Sequence, residues 1–195
     1  MFAYCNNNPV NEADSNGHTS VATSIEQKFK YVDLFIYYHH PNSSKNMDDV
    51  AKDQVYSENA FWVPVDSFDN FASSLMNLPE NTRNVYCYLH GDPNDLAFYQ
   101  VTYGSDAIRD EIPEIAIDGF IFLFVCHGLT VADEISAATN CRVVATNEGV
   151  SFYGGRARVS PSDLLKDFIK INPKFWHITY PDGNSELYSM SIICW

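Results

Sequence analysis

Two short stretches hold residues of a type and order suited to covalent chemistry. An apolar run from Val85 to Leu89 stops at His90-Gly91, and a second, from Phe120 to Val125, stops at Cys126-His127-Gly128. A cysteine attacks as its thiolate, and an imidazole that takes the thiol proton supplies one. If the two runs are neighbouring parallel strands, His90 and Cys126 emerge at the same edge of the sheet. Reactive groups in open α/β sheets gather beyond the carboxyl ends of the strands. Gly91 lets the backbone turn sharply, and the Gly91 and Cys126 amides could together hold an oxyanion. His127 and Gly128 follow directly and are candidates for lining the substrate site. Each residue also has a purely structural reading: Cys126 as a buried core thiol, His90 as a turn cap working through Asp92, and His127 pointing away from its neighbour.

The elements that must position these residues follow from hydrophobic periodicity and turn chemistry. Strands are expected at Val32 to Tyr38, Phe61 to Val65, Val85 to Leu89, Phe120 to Val125, Arg142 to Thr146 and Val150 to Tyr153. Asp66-Ser67 read as an N-cap ahead of Phe68, Phe71, Leu75 and Leu78, which share a helical face before Pro79. Further helices are expected from Ser105 to Glu111, from Thr130 to Thr139 and, opened by Ser160-Pro161, to about Ile171. Leu96 to Tyr103 reads as a hairpin arm. Phe175 to Tyr180 and Glu186 to Ile193 read as a closing C-terminal β-hairpin. Strands alternate with helices and the central strands are apolar on both faces. That pattern predicts an α/β domain of three layers, with a mostly parallel central sheet and helices on both faces.

Composition narrows the function classes. The 195 residues are 46% hydrophobic and 14% aromatic, enough for a sizeable core. A net charge of −13 repels phosphate backbones, so no nucleic-acid partner is expected. Five cysteines, at positions 5, 87, 126, 141 and 194, include no C-x-x-C pair. Neither a disulfide framework nor a structural zinc site is expected, and the thiols should be reduced. The longest apolar run, Ile115 to Val125, is short of a bilayer span and contains Asp118. No charged-then-apolar leader opens the sequence, so secretion would depend on something upstream. The zinc-deaminase, H-E-x-x-H and P-loop patterns are absent, and no metal or cofactor is expected. His39-His40 read as a strand terminus, having no further ligand at metal spacing. Gly154-Gly155-Arg156-Ala157-Arg158 read as a loop whose arginines could hold an acidic group.

The N-terminal segment is turn-rich, with three Asn before Pro9 and then Asp14-Ser15-Asn16-Gly17. Tyr4-Cys5-Asn6-Asn7-Asn8-Pro9-Val10-Asn11 resembles the end of the Rhs (YD-repeat) core. In that family an Asp-Pro-x-Gly phrase comes next, and a variable toxin domain begins after it. Many members of that family cut themselves near this junction, and Ser15 stands where proline is usual. The resemblance implies a division into an Rhs-core remnant and linker over 1–24 and a C-terminal toxin domain over 25–195. It also implies secretion as part of a larger Rhs protein, delivery into the cytoplasm of a competing cell, and a cognate immunity protein.

Residues 30–155 resemble the caspase–gingipain clan of cysteine peptidases. The clan's signature is an apolar strand ending in His-Gly, then a later apolar strand ending in the nucleophilic Cys. His90-Gly91 and Cys126 match these two parts, although Val125 stands where Ala or Gly is common. The resemblance implies a His90/Cys126 dyad acting on a protein substrate, with Gly91, His127 and Gly128 around the oxyanion and substrate. One alternative is a papain- or transglutaminase-like order, Cys126-His177-Asp182. Another is a caspase-like domain that binds without catalysis.

Overall fold

In the computed structural model the described residues are 31–48, 60–92, 94–153, 156–160 and 176–188. The Rhs-like segment, the helix expected after Ser160 and the 1–24/25–195 division lie outside them. The domain is α/β, built on a mixed seven-stranded sheet. In spatial order its strands are β12 (Ser185–Leu187), β11 (Trp176–Thr179), β8 (Val143–Thr146), β7 (Ile121–Phe124), β3 (Thr82–Tyr88), β1 (Val32–Tyr38) and β2 (Ala60–Val65). The five strands from β8 to β2 run parallel. β11 runs against β8, and β12 against β11. The strands β1, β3, β7 and β8 are buried almost throughout, as their two-sided apolar character requires.

Alternation and register assign each side chain to a face. Leu34 and Ile36 lie level with Val85 and Cys87, and these with Ile121 and Leu123. On this face sit α1 (Phe68–Met76), α2 (Ser105–Glu111) and α3 (Leu129–Thr139). Phe68 of α1 reaches Phe98 at 6.1 Å, and Phe98 reaches Tyr38 of β1 at 6.3 Å. Asp133 of α3 accepts a hydrogen bond from the Thr179 hydroxyl of β11 at 3.0 Å. Glu134 of α3 holds Arg109 of α2 at 2.9 Å. α1 starts where its N-cap places it: Ser67 Oγ accepts from the Asn70 amide, and Asp66 braces both residues. Those hydrogen bonds hold the Asp66 carboxyl below its ordinary value.

The other face carries a row of stacked rings across four strands. Trp62, Phe35, Tyr86 and Phe122 follow one another at centroid separations of 4.3, 4.6 and 4.8 Å. Each stacked pair is worth about 0.5–1.5 kcal/mol beyond the burial of its area. All three described helices pack on the first face. Helices on both faces were expected, and among the described residues they are seen on one face only; the helix expected at about 160–171 lies outside the described residues. No described helix is long and apolar enough to cross a membrane.

Two local expectations are corrected. His90-Gly91-Asp92 does not simply end β3; it forms β4 (His90–Asp92). β4 pairs with β5 (Asp95–Phe98), and β5 with β6 (Val101–Tyr103), in a small antiparallel sheet. The segment read as an arginine loop is β10 (Arg156–Ser160), paired antiparallel with β9 (Gly149–Tyr153). The alternation Arg-Ala-Arg-Val has strand period, and its charges disguise it.

Candidate active site

The β3–β7 register places the two reactive strand ends side by side. Tyr88 lies opposite Phe124 in a parallel ladder, so His90 and Cys126 leave the sheet at the same edge and the same level. The contact is close at the backbone. A Cβ built on Gly91 would lie 2.8 Å from the Cys126 carbonyl oxygen and inside the Val125 Cγ1 methyl. Only glycine lets β4 turn across the end of β7 at this distance.

Each side chain has its own backbone partners. His90 Nε2 bonds the Lys45 carbonyl at 2.7 Å. A carbonyl only accepts, so Nε2 carries the hydrogen and the neutral ring leaves Nδ1 as the acceptor. The loop that presents Lys45 is fastened to itself. Met47 N–H donates to the Tyr38 carbonyl at 2.9 Å, and Asn46 bridges the His40 amide and carbonyl at 2.8 and 2.9 Å. His39 Nδ1 meets Asp48 Oδ1 at 2.7 Å. The edge of the His90 ring system also rests against Tyr38, at 5.0 Å and 71°.

Cys126 is half-buried. Its Sγ accepts from the Val150 N–H at 3.3 Å and donates to the Val150 carbonyl at 3.4 Å. No hydrogen bond joins Cys126 Sγ to the His90 ring among the described residues. The other two described cysteines are different: Cys87 is fully buried and its thiol is pushed up by burial, and burial likewise raises Cys141.

His127 sits in the left-handed region at φ 53°. Its N–H donates to the Glu148 carbonyl at 3.0 Å and its Nδ1 bonds the Asn147 carbonyl at 2.7 Å. These bonds tie the residue after Cys126 to the β8–β9 turn, so its ring acts as a fastener there. Gly128 is buried and is the N-cap of α3. The papain-like alternative does not assemble. Thr179 is level with Val143, and Val143 with Ile121, so Asp182 lies beyond the amino edge of the sheet. Five strand residues separate that level from Cys126, about 17 Å at the strand rise.

Lys45 and Val150 carry no sequence signal, since any residue would supply the same backbone groups. A groove of about 530 Å³ between β2 and α1, lined by Leu34, Phe61, Val63 and Asn77, lies away from the dyad. Among the described residues no cluster of three or more His, Cys, Asp or Glu could hold a metal ion. No family model matches the chain. No curated protein matches it either.

Proposed function

We propose that this domain is a cysteine peptidase resembling the caspase–gingipain clan, carried as the C-terminal toxin of an Rhs-type protein. The observation that supports it is the in-register parallel pairing of β3 and β7, with Gly91 packed on the Cys126 backbone. In this reading the Lys45 carbonyl fixes the His90 tautomer and Nδ1 takes the Cys126 proton. The thiolate attacks a peptide carbonyl carbon, and the carbonyl electron pair moves onto oxygen. The Gly91 and Cys126 amides stabilise that oxyanion. The intermediate collapses to a thioester as His90 returns the proton to the leaving amine. A water, deprotonated by His90, then hydrolyses the thioester and frees the acid and the thiol. The tie between Cys126 Sγ and Val150 must open to let a substrate in.

The Rhs-like N-terminal phrase supports the wider role: delivery into a competing bacterium, a protein substrate there, and an immunity protein in the producer. The test is expression inside a bacterium. Cys126→Ala and His90→Ala should each abolish toxicity at unchanged protein levels; variants as toxic as the parent would refute the dyad. The second reading, a caspase-like domain that binds without cleaving, is favoured by one observation. Cys126 Sγ is satisfied by Val150 and makes no bond to His90. Under it both variants keep their toxicity.

A further inference from the structure

The mechanism above makes no use of the paired rings of His40 and Tyr99. They stack at 4.1 Å with an interplanar angle of 11°. The pair stands at the dyad's edge of the sheet. His40 comes two residues after Tyr38, whose ring abuts His90. Tyr99 comes two residues after Ala97, which pairs with His90 across β4 and β5. Two strand residues put Tyr99 about 7 Å from the level of His90.

Folding alone does not account for Tyr99. The residue is 48% exposed, with one ring face on His40. Its φ is 53°, at the first position of the two-residue turn between β5 and β6. Hairpin turns place glycine at such positions. A bulky side chain there costs about 1–2 kcal/mol and points to a role beyond the fold.

We propose that the His40–Tyr99 stack is a substrate subsite. It takes an aromatic side chain of the polypeptide, two or three positions from the bond that Cys126 attacks. The inference rests on the peptidase reading and names part of its specificity. An extended chain covers about 3.3–3.6 Å per residue, so two residues span the distance from the dyad to Tyr99. A flat ring laid on the open face of Tyr99 becomes the third member of an existing stack. Ring pairs of this kind contribute about 0.5–1.5 kcal/mol, a two- to tenfold change in KM.

The experiment begins with cleavage of a proteome-derived peptide mixture, which gives the bonds cut. Synthetic versions of one cut peptide then carry Phe, Tyr, Arg or Ala two and three positions from that bond. The parent should show a KM about two- to tenfold lower for Phe and Tyr than for Ala, with kcat alike. Tyr99→Gly should bring that ratio close to one, and Tyr99→Phe should keep it. A preference for Arg, or a ratio that survives Tyr99→Gly, overturns the subsite and leaves the peptidase reading intact. If the parent cuts nothing, the peptidase reading falls, and the stack is read by adding short Gly-rich peptides that carry one central Phe or Ala to Cys126→Ala. Phe peptides should then shift the His40 imidazole NMR signals and Ala peptides should not; no selective shift overturns the subsite as well.

Discussion

Gly91→Ala places one methyl group where β4 crosses the end of β7. The new Cβ would lie 2.8 Å from the Cys126 carbonyl oxygen, 3.4 Å from the Asp95 carbonyl oxygen and inside the Val125 Cγ1 methyl. Ordinary contact begins at 3.4 Å, so the Gly91 and Cys126 backbones must part by about 0.6 Å. Val125 is fully buried, so turning its side chain away means repacking its neighbours. Overpacking of this kind costs about 1–3 kcal/mol. Both neighbours are hard to displace, so the upper half of that range, about 2–3 kcal/mol, is expected. For a chain of this size each kcal/mol lowers Tm by about 2–4 °C, giving a fall of about 4–12 °C. Thermal unfolding followed by circular dichroism measures it. Adding Val125→Ala removes the side-chain part of the clash and keeps the backbone part. The double variant should therefore be about 1 kcal/mol more stable than the sum of the two single changes. If Gly91→Ala unfolds within about 0.5 kcal/mol of the parent, the close approach of the two strand ends is wrong. The proposed oxyanion geometry then goes with it.

Two further outcomes follow from the core. Asp33→Ala removes the acceptor of Arg83 at 3.0 Å and of Asn84 Nδ2 at 3.1 Å, and Asn84 Oδ1 in turn holds the Phe120 N–H at the start of β7. Arg83 is nearly half exposed and adds little. The loss should be about 1–2 kcal/mol by urea unfolding, largely restored by Asp33→Asn; an unchanged midpoint would count against the network. Burial pushes the Tyr86 phenol and the Cys87 thiol above their ordinary values of 10.0 and 9.0. The folded chain therefore keeps protons that the unfolded chain sheds, so this stability is complete below about pH 9 and declines as pH rises further. The urea midpoint should fall between pH 9 and 11, less steeply in Tyr86→Phe; a flat profile would contradict the burial.

The parts of the fold that are legible in the sequence are those written in periodicity. Val85 to Leu89 and Phe120 to Val125 read as buried strands because nothing polar interrupts them. α1 reads from its cap, since Asp66-Ser67 and the Phe68, Phe71, Leu75 spacing agree. β4 and β10 were hidden because three to five residues of mixed polarity carry too little period. The reversed direction of β11 was equally silent: a four-residue strand looks the same in both orientations. In the site, side-chain types were visible and backbone partners were not. His90 and Cys126 stand out by identity, whereas the Lys45 carbonyl and the Val150 amide enter only through the path of the chain. His127 shows the limit in another way, because its neighbour's reactivity suggested a site role that its bonds to Asn147 and Glu148 do not support.

The strand order has a kinetic consequence. From β1 toward β12 the sheet adds β3, β7, β8, β11 and β12 in the order in which the chain presents them. Each new strand therefore docks on one that precedes it, and β2 closes the opposite side of β1 early. A chain emerging amino end first could zip its sheet progressively, with no strand waiting for a partner not yet delivered. The last step, β12 on β11, closes over only a few residues and costs little closure entropy. Entry carboxyl end first would leave β11 and β12 exposed until β8 arrived, and unpaired edges of that kind invite aggregation. The architecture thus favours vectorial assembly from the amino terminus, and mechanical unfolding from the carboxyl end should peel the strands in the reverse sequence.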